Sequence, residues 1–300
     1  MPPVPRLQSV STRVNPAANS TRKELEQLQE KYGLALEFVD ERGRISLLIF
    51  RKRGFVARSK EAIGSSGRVT RDGNYAALWA GLEPHSLAIV GLDGNALKKY
   101  SGNRAYPMCW SYDGFGLMLQ TPELRLQAMD VASGDIRTLP IEGSPDQQLI
   151  TSQCGSPDGK QIVYRSNDGY VSVYDFATGS SANLVKGANP TWSPDGDWIG
   201  YRDGETYYAI RPSGKDRKKL FHKTRAISGL WWSPDSRFVA YIHEDLISLL
   251  GYSRVMVRRL ADGSEEWVAQ GVGAGDSLQW VQNPELVLWL EDALKKHWFD

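Results

Sequence analysis

The sequence predicts an all-β fold of the β-propeller type, and three observations support this prediction. A turn motif of the form Trp-Ser-Pro-Asp-Gly recurs along the chain at intervals of roughly 40 residues, the length of one four-stranded propeller blade. A short apolar segment follows each copy, as expected for a strand that leaves a hairpin turn. A second alternating segment, closed by another Gly turn, completes each repeat. We therefore expect four antiparallel strands per repeat, labelled A to D.

The turn motif is clearest in PTWSPDGDWIGY, residues 190–201. Its Asp-Gly pair supplies the positive φ that a tight hairpin requires, and the Ser and Asp side chains can accept hydrogen bonds from the turn backbone. A catalytic loop has no reason to recur in every repeat, so the motif is interpreted as a structural A–B turn. The related segments are 110–114, 155–159 and 232–236, and more distantly 69–73 and 280–284.

The two ends of the chain are predicted to share one blade. Residues 45–73 align without gaps with residues 86–114, so the N-terminal part begins with strands C and D, while SLQWVQNPELVLWLED (277–292) is expected to supply strands A and B. Sharing a blade removes exposed sheet edges. The count is then about six four-stranded blades. LALEFVD (34–40) and ALKKHWFD (293–300) could be further strands, which leaves seven blades open, and Asn283 with Pro284 could instead cap a C-terminal helix.

A segment of different character precedes the repeats. In STRKELEQLQEKYG, residues 20–33, Thr21 and Glu24 form a capping box and Gly33 ends the run. One apolar stripe runs along this segment, formed by Leu25, Leu28 and Tyr32. The sequence therefore predicts a flexible extension with a short amphipathic helix over 1–33 and a propeller domain over 34–300. The helix is expected either to pack on the propeller as a plug or to dock on a partner.

Composition and charge narrow the functional classes. About a quarter of the residues are charged (24%), the net charge is +1, and no long apolar run is present. These values predict a soluble monomer with no nucleic-acid partner and no membrane insertion. The first residues are polar and rich in Pro, unlike a secretory signal, which predicts a cytoplasmic protein, or a periplasmic one if a signal has been removed. No cofactor motif is found, and no cofactor is expected.

The two cysteines occupy equivalent positions in neighbouring repeats. Cys109 precedes Trp110, and Cys154 precedes Gly155. Packed sheets are separated by about 10 Å, whereas bridged cysteines have Cα atoms within about 7 Å of each other. The sequence therefore predicts two small core residues without a disulfide.

The repeat resembles a known family. The pattern Trp-Ser-Pro-Asp-Gly, then an apolar residue and Tyr, followed by apolar-Tyr-Asp and a later Gly, is similar to the repeat of TolB-like propellers and of the propellers in prolyl oligopeptidase relatives. The resemblance covers roughly residues 45 to 290 and implies the propeller fold. The α/β domain that precedes the propeller in the periplasmic family member has no counterpart here, and neither does the peptidase nucleophile elbow.

Binding is expected on one face of the disc. In a propeller, the B–C loops and D–A connections lie on one face, here called the loop face, and the A–B and C–D turns lie on the other, the turn face. The fifth repeat carries an enlarged apolar B–C loop, HEDLISLLGYS (243–253). This pattern favours a non-catalytic scaffold that binds a protein or peptide on the loop face. The predicted anchors in the loop are Ile247, Leu249, Leu250 and Tyr252.

Histidines supply an enzymatic alternative. His85, His222 and His243 all map to the loop face and are included in the predicted binding surface. Imidazoles beside a carboxylate can perform acid–base chemistry, so His222, His243 and Glu244 are the candidate catalytic residues of a hydrolase or lyase acting on a lactone or glycan. Basic clusters at 51–53 and 215–219 are interpreted as solvated C–D turns, because no aromatic stacking pattern accompanies them.

Overall fold

A computed structural model provides the structure of the 300-residue chain. The residues that the structure describes are 23–24, 26–28, 33–39, 45–50, 57–58, 66–70, 75–80, 86–91, 96–101, 105–111, 116–142, 153–222, 226–244, 253–272 and 277–281.

The described strands form six antiparallel sheets, as an all-β propeller requires. The first three sheets along the chain follow. One contains β1 (Gly33–Val39), β2 (Ile45–Phe50), β3 (Ala57–Arg58) and the last strand, β23 (Ser277–Val281). The next contains β4 (Ser66–Val69), β5 (Tyr75–Ala80), β6 (Ser86–Gly91) and β7 (Ala96–Ser101). The third contains β8 (Tyr106–Trp110), β9 (Gly116–Gln120), β10 (Arg125–Asp130) and β11 (Ile136–Glu142).

The other three sheets come from the C-terminal half. One contains β12 (Gln161–Arg165), β13 (Tyr170–Asp175) and β14 (Ser180–Lys186), and Gly155 adds an isolated bridge to Ile162 in the place of strand A. The next contains β15 (Ala188–Trp192), β16 (Ile199–Asp203), β17 (Thr206–Ile210) and β18 (Lys218–His222). The last contains β19 (Ala226–Trp232), β20 (Phe238–Glu244), β21 (Ser253–Arg259) and β22 (Glu265–Val272).

Successive sheets pack face to face around a ring. Buried clusters join the β4–β7 sheet to the β8–β11 sheet, and the β8–β11 sheet to the β12–β14 sheet. Two more join β12–β14 to β15–β18, and β15–β18 to β19–β22. Strand β19 then contacts β23, and β1 contacts β4. The core therefore consists of apolar layers between neighbouring sheets.

The chain ends share a sheet, but they divide it differently from the prediction. Strand β23 pairs with β1 through Trp280 opposite Leu34, and β1 pairs with β2. The N-terminal part therefore supplies strands B, C and D, and the C-terminal part supplies strand A. Strand β1 (Gly33–Val39), which lies in the segment interpreted as an extra strand, is strand B of the shared blade. The expectation that residues after 281 supply strand B is wrong, because β1 occupies that position.

The repeated motif forms the predicted structural turn. In three copies, Ser156, Ser193 and Ser233 are buried, and each Oγ donates to the Asp two residues later at 2.6 Å. Each Oγ also accepts the backbone N–H five residues later, at 2.9–3.0 Å. Gly159 and Gly196 have φ of +71° and +78°. The turn therefore needs Ser or Thr at its start and a left-handed residue at its tip.

The helix before β1 packs on the turn face. Residues 23–24 and 26–28 are helical, and Leu28 is buried. The Glu24 carboxylate accepts a hydrogen bond from Arg259, at the C–D turn of the β19–β22 sheet, and lies 3.6 Å from Arg237 in its A–B turn. These contacts place the described helical residues on the turn face of the β19–β22 sheet. Thr21, the predicted capping residue, lies outside the described residues.

The cysteine prediction is wrong in one respect. Cys109 and Cys154 are buried, as expected, but they form a disulfide between neighbouring blades, with Cα atoms 6.2 Å apart. The 10 Å spacing assumed for packed sheets does not apply here. The innermost strands approach the ring axis, where neighbouring blades converge and the backbones come close enough for bridging.

Candidate functional site

The β19–β22 sheet has the longest B–C connection among those bounded by described strands. β20 ends at Glu244 and β21 begins at Ser253, so eight residues separate them, whereas two residues separate β16 from β17. Glu244 and Ser253 are the last pair of that ladder. The enlarged loop therefore leaves the loop face directly from two paired strand ends. Its predicted anchors Ile247, Leu249, Leu250 and Tyr252 lie outside the described residues, as does His85.

His222 lies on the outermost strand of its blade. It is the last residue of β18, and its Nδ1 lies 2.9 Å from the Thr206 Oγ1 on β17, directly across the ladder. Its Nε2 lies 3.8 Å from the Glu205 carboxylate. The imidazole is half exposed. His222 is thus held by the B–C turn of its own blade, far from the innermost strands.

His243 lies on strand B of the next blade. It pairs with Ala226 and Arg254, and its ring meets that of Tyr241 edge to face with 6.5 Å between the ring centroids. Two residues apart on one strand, Tyr241 and His243 point to the same side. Because Tyr241 packs against the β15–β18 sheet, His243 faces that sheet.

The two histidines point to different sides of the β15–β18 sheet. Phe221 stacks on Tyr207 and on Tyr241, with ring centroids 4.7 and 5.0 Å apart, and so faces the β19–β22 sheet. Successive side chains alternate in a strand, so His222 faces the opposite way. The sheet therefore separates His222 from His243, and the structure does not bring these candidate catalytic side chains together.

The rings of Tyr207, Phe221 and Tyr241 pack between the β15–β18 and β19–β22 sheets. The hydroxyl of Tyr241 donates to the Glu265 carboxylate at 2.8 Å, and Arg258 donates to the same carboxylate at 2.7 Å. Burial and the neighbouring Glu265 carboxylate raise the pKa of Tyr241 far above its ordinary value. Tyr241 is therefore a neutral structural donor within the core between the two sheets.

Two arginines on the loop face were not identified from the sequence. Arg165 and Arg202 each stand ten residues after the first position of the turn motif, at Gly155 and Trp192. Arg165 is the last residue of strand B in its blade and Arg202 is the last but one in the next blade. Both side chains are partly buried. The signal was present in the repeat alignment as a shared basic residue at one position, but it was hidden because this position holds Gln120 in the preceding blade.

The direction of each arginine follows from its strand. Val163, two residues before Arg165, packs in the cluster shared with the β15–β18 sheet, so Arg165 faces that sheet. A Cβ on Gly200 would collide with Leu230, so Arg202, two residues later, faces the β19–β22 sheet. We call these places the Arg165 junction and the Arg202 junction. The Arg202 junction also receives His243.

Comparison with known proteins supports the architecture. No family model matches the chain, and no curated protein sequence matches it either. TolB from Acinetobacter baumannii superimposes with a TM-score of 0.62 at 18% identity, over 84% of this chain and 66% of that chain. A putative TolB from Agrobacterium tumefaciens gives a TM-score of 0.56 at 16% identity, over 85% of this chain and 99% of that chain. This chain has the TolB-like propeller fold.

A third similar structure is an enzyme. An oligogalacturonate lyase in complex with manganese gives a TM-score of 0.51 at 12% identity, over 80% of this chain and 74% of that chain. The chain spans just under two thirds of the length of the Acinetobacter TolB. At these identities the comparisons establish the fold, and function has to be argued from the residues.

The expectation that no aromatic side chains accompany the basic cluster at 215–219 is wrong. Aromatic rings do accompany it: the Lys218 Nζ lies 3.6 Å and the Arg211 Cζ 4.2 Å from the Trp198 ring centroid, and the Arg217 Cζ lies 3.7 Å from that of Tyr208. Burial lowers the pKa of Lys218, and Arg211 lowers it further. The cations cover these rings, so the rings do not form an open platform for stacking bases.

Within the described ranges of the TolB-like propeller, no group of three or more His, Cys, Asp or Glu side chains could hold a metal ion. The helical residues described in the structure include no segment long and apolar enough to cross a membrane.

Proposed function

We propose that this TolB-like propeller is a non-catalytic scaffold that binds a protein or peptide through its loop face. The enlarged connection between β20 and β21 carries the proposal, because eight residues occupy a place where β16 and β17 need two. Apolar side chains in such a loop offer a contact surface on a rigid support. Ile247, Leu249, Leu250 and Tyr252 are the proposed anchors.

The polar surround of these anchors comes from neighbouring strand ends. His243 precedes the loop by one residue, and His222 belongs to the adjacent blade. His85 completes the proposed surface from the residue before β6. Such groups at the rim would orient a partner and exclude wrong ones rather than supply most of the affinity.

The test is the double variant Leu249→Ser, Leu250→Ser. Burying one leucine contributes roughly 1.5–3 kcal/mol, so losing two anchors should weaken capture of a native partner by about a hundredfold or more. The melting temperature should stay nearly unchanged. Ile136→Ser is the matched control, because Ile136 is 43% exposed and begins β11 at the turn face. A double variant that melts markedly lower and still captures the same partner would place the binding surface elsewhere.

The enzymatic alternative remains a glycan or lactone hydrolase or lyase that uses His222, His243 and Glu244. The fold similarity to an oligogalacturonate lyase supports it, while the separation of the two histidines by the β15–β18 sheet favours the scaffold. Incubation with oligogalacturonate and manganese distinguishes the two. Turnover that disappears in His222→Ala and His243→Ala would replace the scaffold proposal with the lyase.

We also propose a count of six blades, one of which is shared by the chain ends. Each of the six sheets contacts the next, and the contacts of β23 with β19 and of β1 with β4 complete the ring. For the compartment, we propose an oxidising one such as the periplasm rather than the cytoplasm. The Cys109–Cys154 disulfide supports this, because disulfides persist mainly in oxidising environments.

A further inference from the structure

Arg165 and Arg202 differ from the arginines of the turn face in their partners. Five arginines with side chains at or near the turn face, or extending along a blade from it, lie 2.5–3.1 Å from a carboxylate oxygen. These pairs are Arg211–Asp197, Arg217–Asp203, Arg237–Asp235, Arg258–Glu265 and Arg259–Asp262. Arg165 and Arg202 form no such ion pair within the part of the chain that the structure describes. The Nε of Arg165 is also buried without an acceptor.

A buried tyrosine faces each of the two junctions. Tyr201 faces the Arg165 junction and is fully buried, and Tyr207 lies directly opposite Arg202 in the ladder and is 1% exposed. Among the described residues neither hydroxyl has an acceptor for its proton, and the guanidinium groups that act on them are Arg217 at Tyr201 and Arg202 at Tyr207. Burial raises the pKa of Tyr207, and the Arg202 guanidinium opposes that rise. Burial likewise raises the pKa of Tyr201, so both hydroxyls keep their protons at neutral pH.

Two acidic side chains close to Arg202 in sequence are already engaged, and within the described residues Asp168, three residues after Arg165, forms no ion pair with that arginine. Asp203, adjacent to Arg202, accepts from Arg217 at 3.1 Å, and Glu205 lies 3.8 Å from His222. The two junctions thus hold an excess of donors over acceptors. Partly buried donors without acceptors carry a free-energy cost that an acceptor-rich ligand would remove.

We infer that the Arg165 and Arg202 junctions form a two-point carboxylate site, and that the segment bound on the loop face is an acidic peptide. This inference rests on the proposed scaffold function and names the chemistry of its ligand. Equivalent positions in adjacent blades place one guanidinium on each side of the β15–β18 sheet at the loop face, so a ligand has to cross the edge of that sheet to reach both. An extended peptide can present acidic side chains to both, each through charge-assisted hydrogen bonds.

A peptide fits this surface better than an acidic saccharide does. The loop that follows His243 contains Ile247, Leu249, Leu250 and Tyr252. Apolar side chains gain free energy by contacting other apolar groups, which a peptide with alternating acidic and apolar residues provides. A polyuronate chain carries carboxylates but lacks matching apolar side chains, so it would satisfy the arginines alone.

The probes are two short fluorescein-labelled peptides, one of Glu, Leu and Ser and one with every Glu replaced by Gln. We expect the acidic peptide to bind the full chain at least about tenfold more tightly in fluorescence anisotropy, since it alone forms charge-assisted hydrogen bonds. Added salt should weaken the acidic peptide only. Equal binding of the two peptides, or binding of neither, would overturn the inference.

Variants locate the preference. Arg165→Gln with Arg202→Gln should abolish the acidic preference and leave binding of the Gln peptide unchanged, while Arg165→Lys with Arg202→Lys should retain part of it. Arg211→Gln is the control, because that arginine is paired with Asp197 away from the loop face. Retained acidic preference in the double Gln variant would refute the site.

Two further measurements separate this inference from the scaffold proposal. Leu249→Ser with Leu250→Ser should weaken binding of both peptides by the same factor. If this variant binds both peptides as the parent does, the apolar anchors are refuted, while the arginine site is still judged by its own variants. Oligogalacturonate is tested as a competitor. If it binds more tightly than the acidic peptide and depends on the same arginines, the ligand is an acidic saccharide and the peptide inference fails.

Discussion

The side chain of Gln153 forms two hydrogen bonds with the backbone of Trp232, two sheets further around the ring. Its Nε2 donates to the Trp232 carbonyl at 3.0 Å, and the Trp232 N–H donates to its Oε1 at 2.8 Å. The backbone carbonyl of Gln153 also accepts from Trp192 N–H, in the intervening sheet, at 2.7 Å. One residue near the ring axis therefore ties three blades together.

Replacing Gln153 tests this connection. Gln153→Ala leaves the Trp232 N–H and carbonyl without partners, and we expect unfolding free energy to fall by about 1–3 kcal/mol. Urea denaturation measures the change. Gln127→Ala is the control, because Gln127 bonds Thr138 on the exposed surface at 3.3 Å and its loss should cost less than about 0.5 kcal/mol. If the two substitutions lower the unfolding free energy equally, the hydrogen bonds of Gln153 near the ring axis stabilise the fold no more than a surface hydrogen bond does.

The A–B turn requires a left-handed residue at Gly196. Its φ is +78°, and a Cβ there would meet Pro157 at 3.6 Å, an ordinary contact, so the cost of substitution comes from the backbone. Gly196→Val should lower stability by about 1–2 kcal/mol or more in a thermal melt. Gly196→Asn should cost less, because Asn tolerates this conformation. Indistinguishable melts for parent and Val variant would refute the turn assignment.

The Cys109–Cys154 disulfide should contribute measurably to stability. It closes a loop between residues 45 positions apart, so Cys109→Ala with Cys154→Ala is expected to lower the unfolding free energy by about 2–4 kcal/mol. Thiol titration of the denatured, unreduced protein should find no reactive cysteine. Two reactive thiols in protein purified from its native cells would exclude both the bond and the proposed oxidising compartment.

The repeat was predictable because its physical requirement is local. Ser193, Asp195 and Gly196 satisfy one turn within five residues, so the same letters recur wherever the turn recurs. The disulfide was not predictable in this way. The approach of Cys109 to Cys154 depends on convergence of the blades near the axis, which no spacing in the sequence reports.

The site was predictable only in part for a similar reason. The loop after His243 could be identified from its length and apolar composition. Arg165 and Arg202 became candidates only because no carboxylate pairs with them among the described residues. An arginine in the sequence does not reveal whether a carboxylate will lie beside it. To predict that His222 and His243 lie on opposite sides of the β15–β18 sheet, one would need the register of β17 and β18, which the sequence does not give.

Ring closure depends on the packing of Trp280 as well as on strand pairing. Trp280 is 2% exposed, and its Nε1 donates to the Trp231 carbonyl in the neighbouring sheet at 3.3 Å. Trp280→Ala should cost about 3–5 kcal/mol in chemical denaturation. Trp267→Ala is the control, because Trp267 is 37% exposed on the outer strand β22. A smaller loss at Trp280 than at Trp267 would contradict closure through β23.

Two truncations decide how the shared blade is divided. Deleting residues 282–300 leaves β23 in place, and because β1 already occupies the strand B position, the chain should stay soluble and unfold cooperatively. Deleting 277–300 also removes β23, so one edge of β1 loses its partner strand, and exposed edges promote association. We expect this shorter chain to aggregate or to unfold over a broad range in light scattering and circular dichroism. If the two truncated chains behave alike, β23 does not close the ring. If both aggregate, residues after 281 supply a strand that the sheet needs, and the division into one C-terminal and three N-terminal strands is wrong.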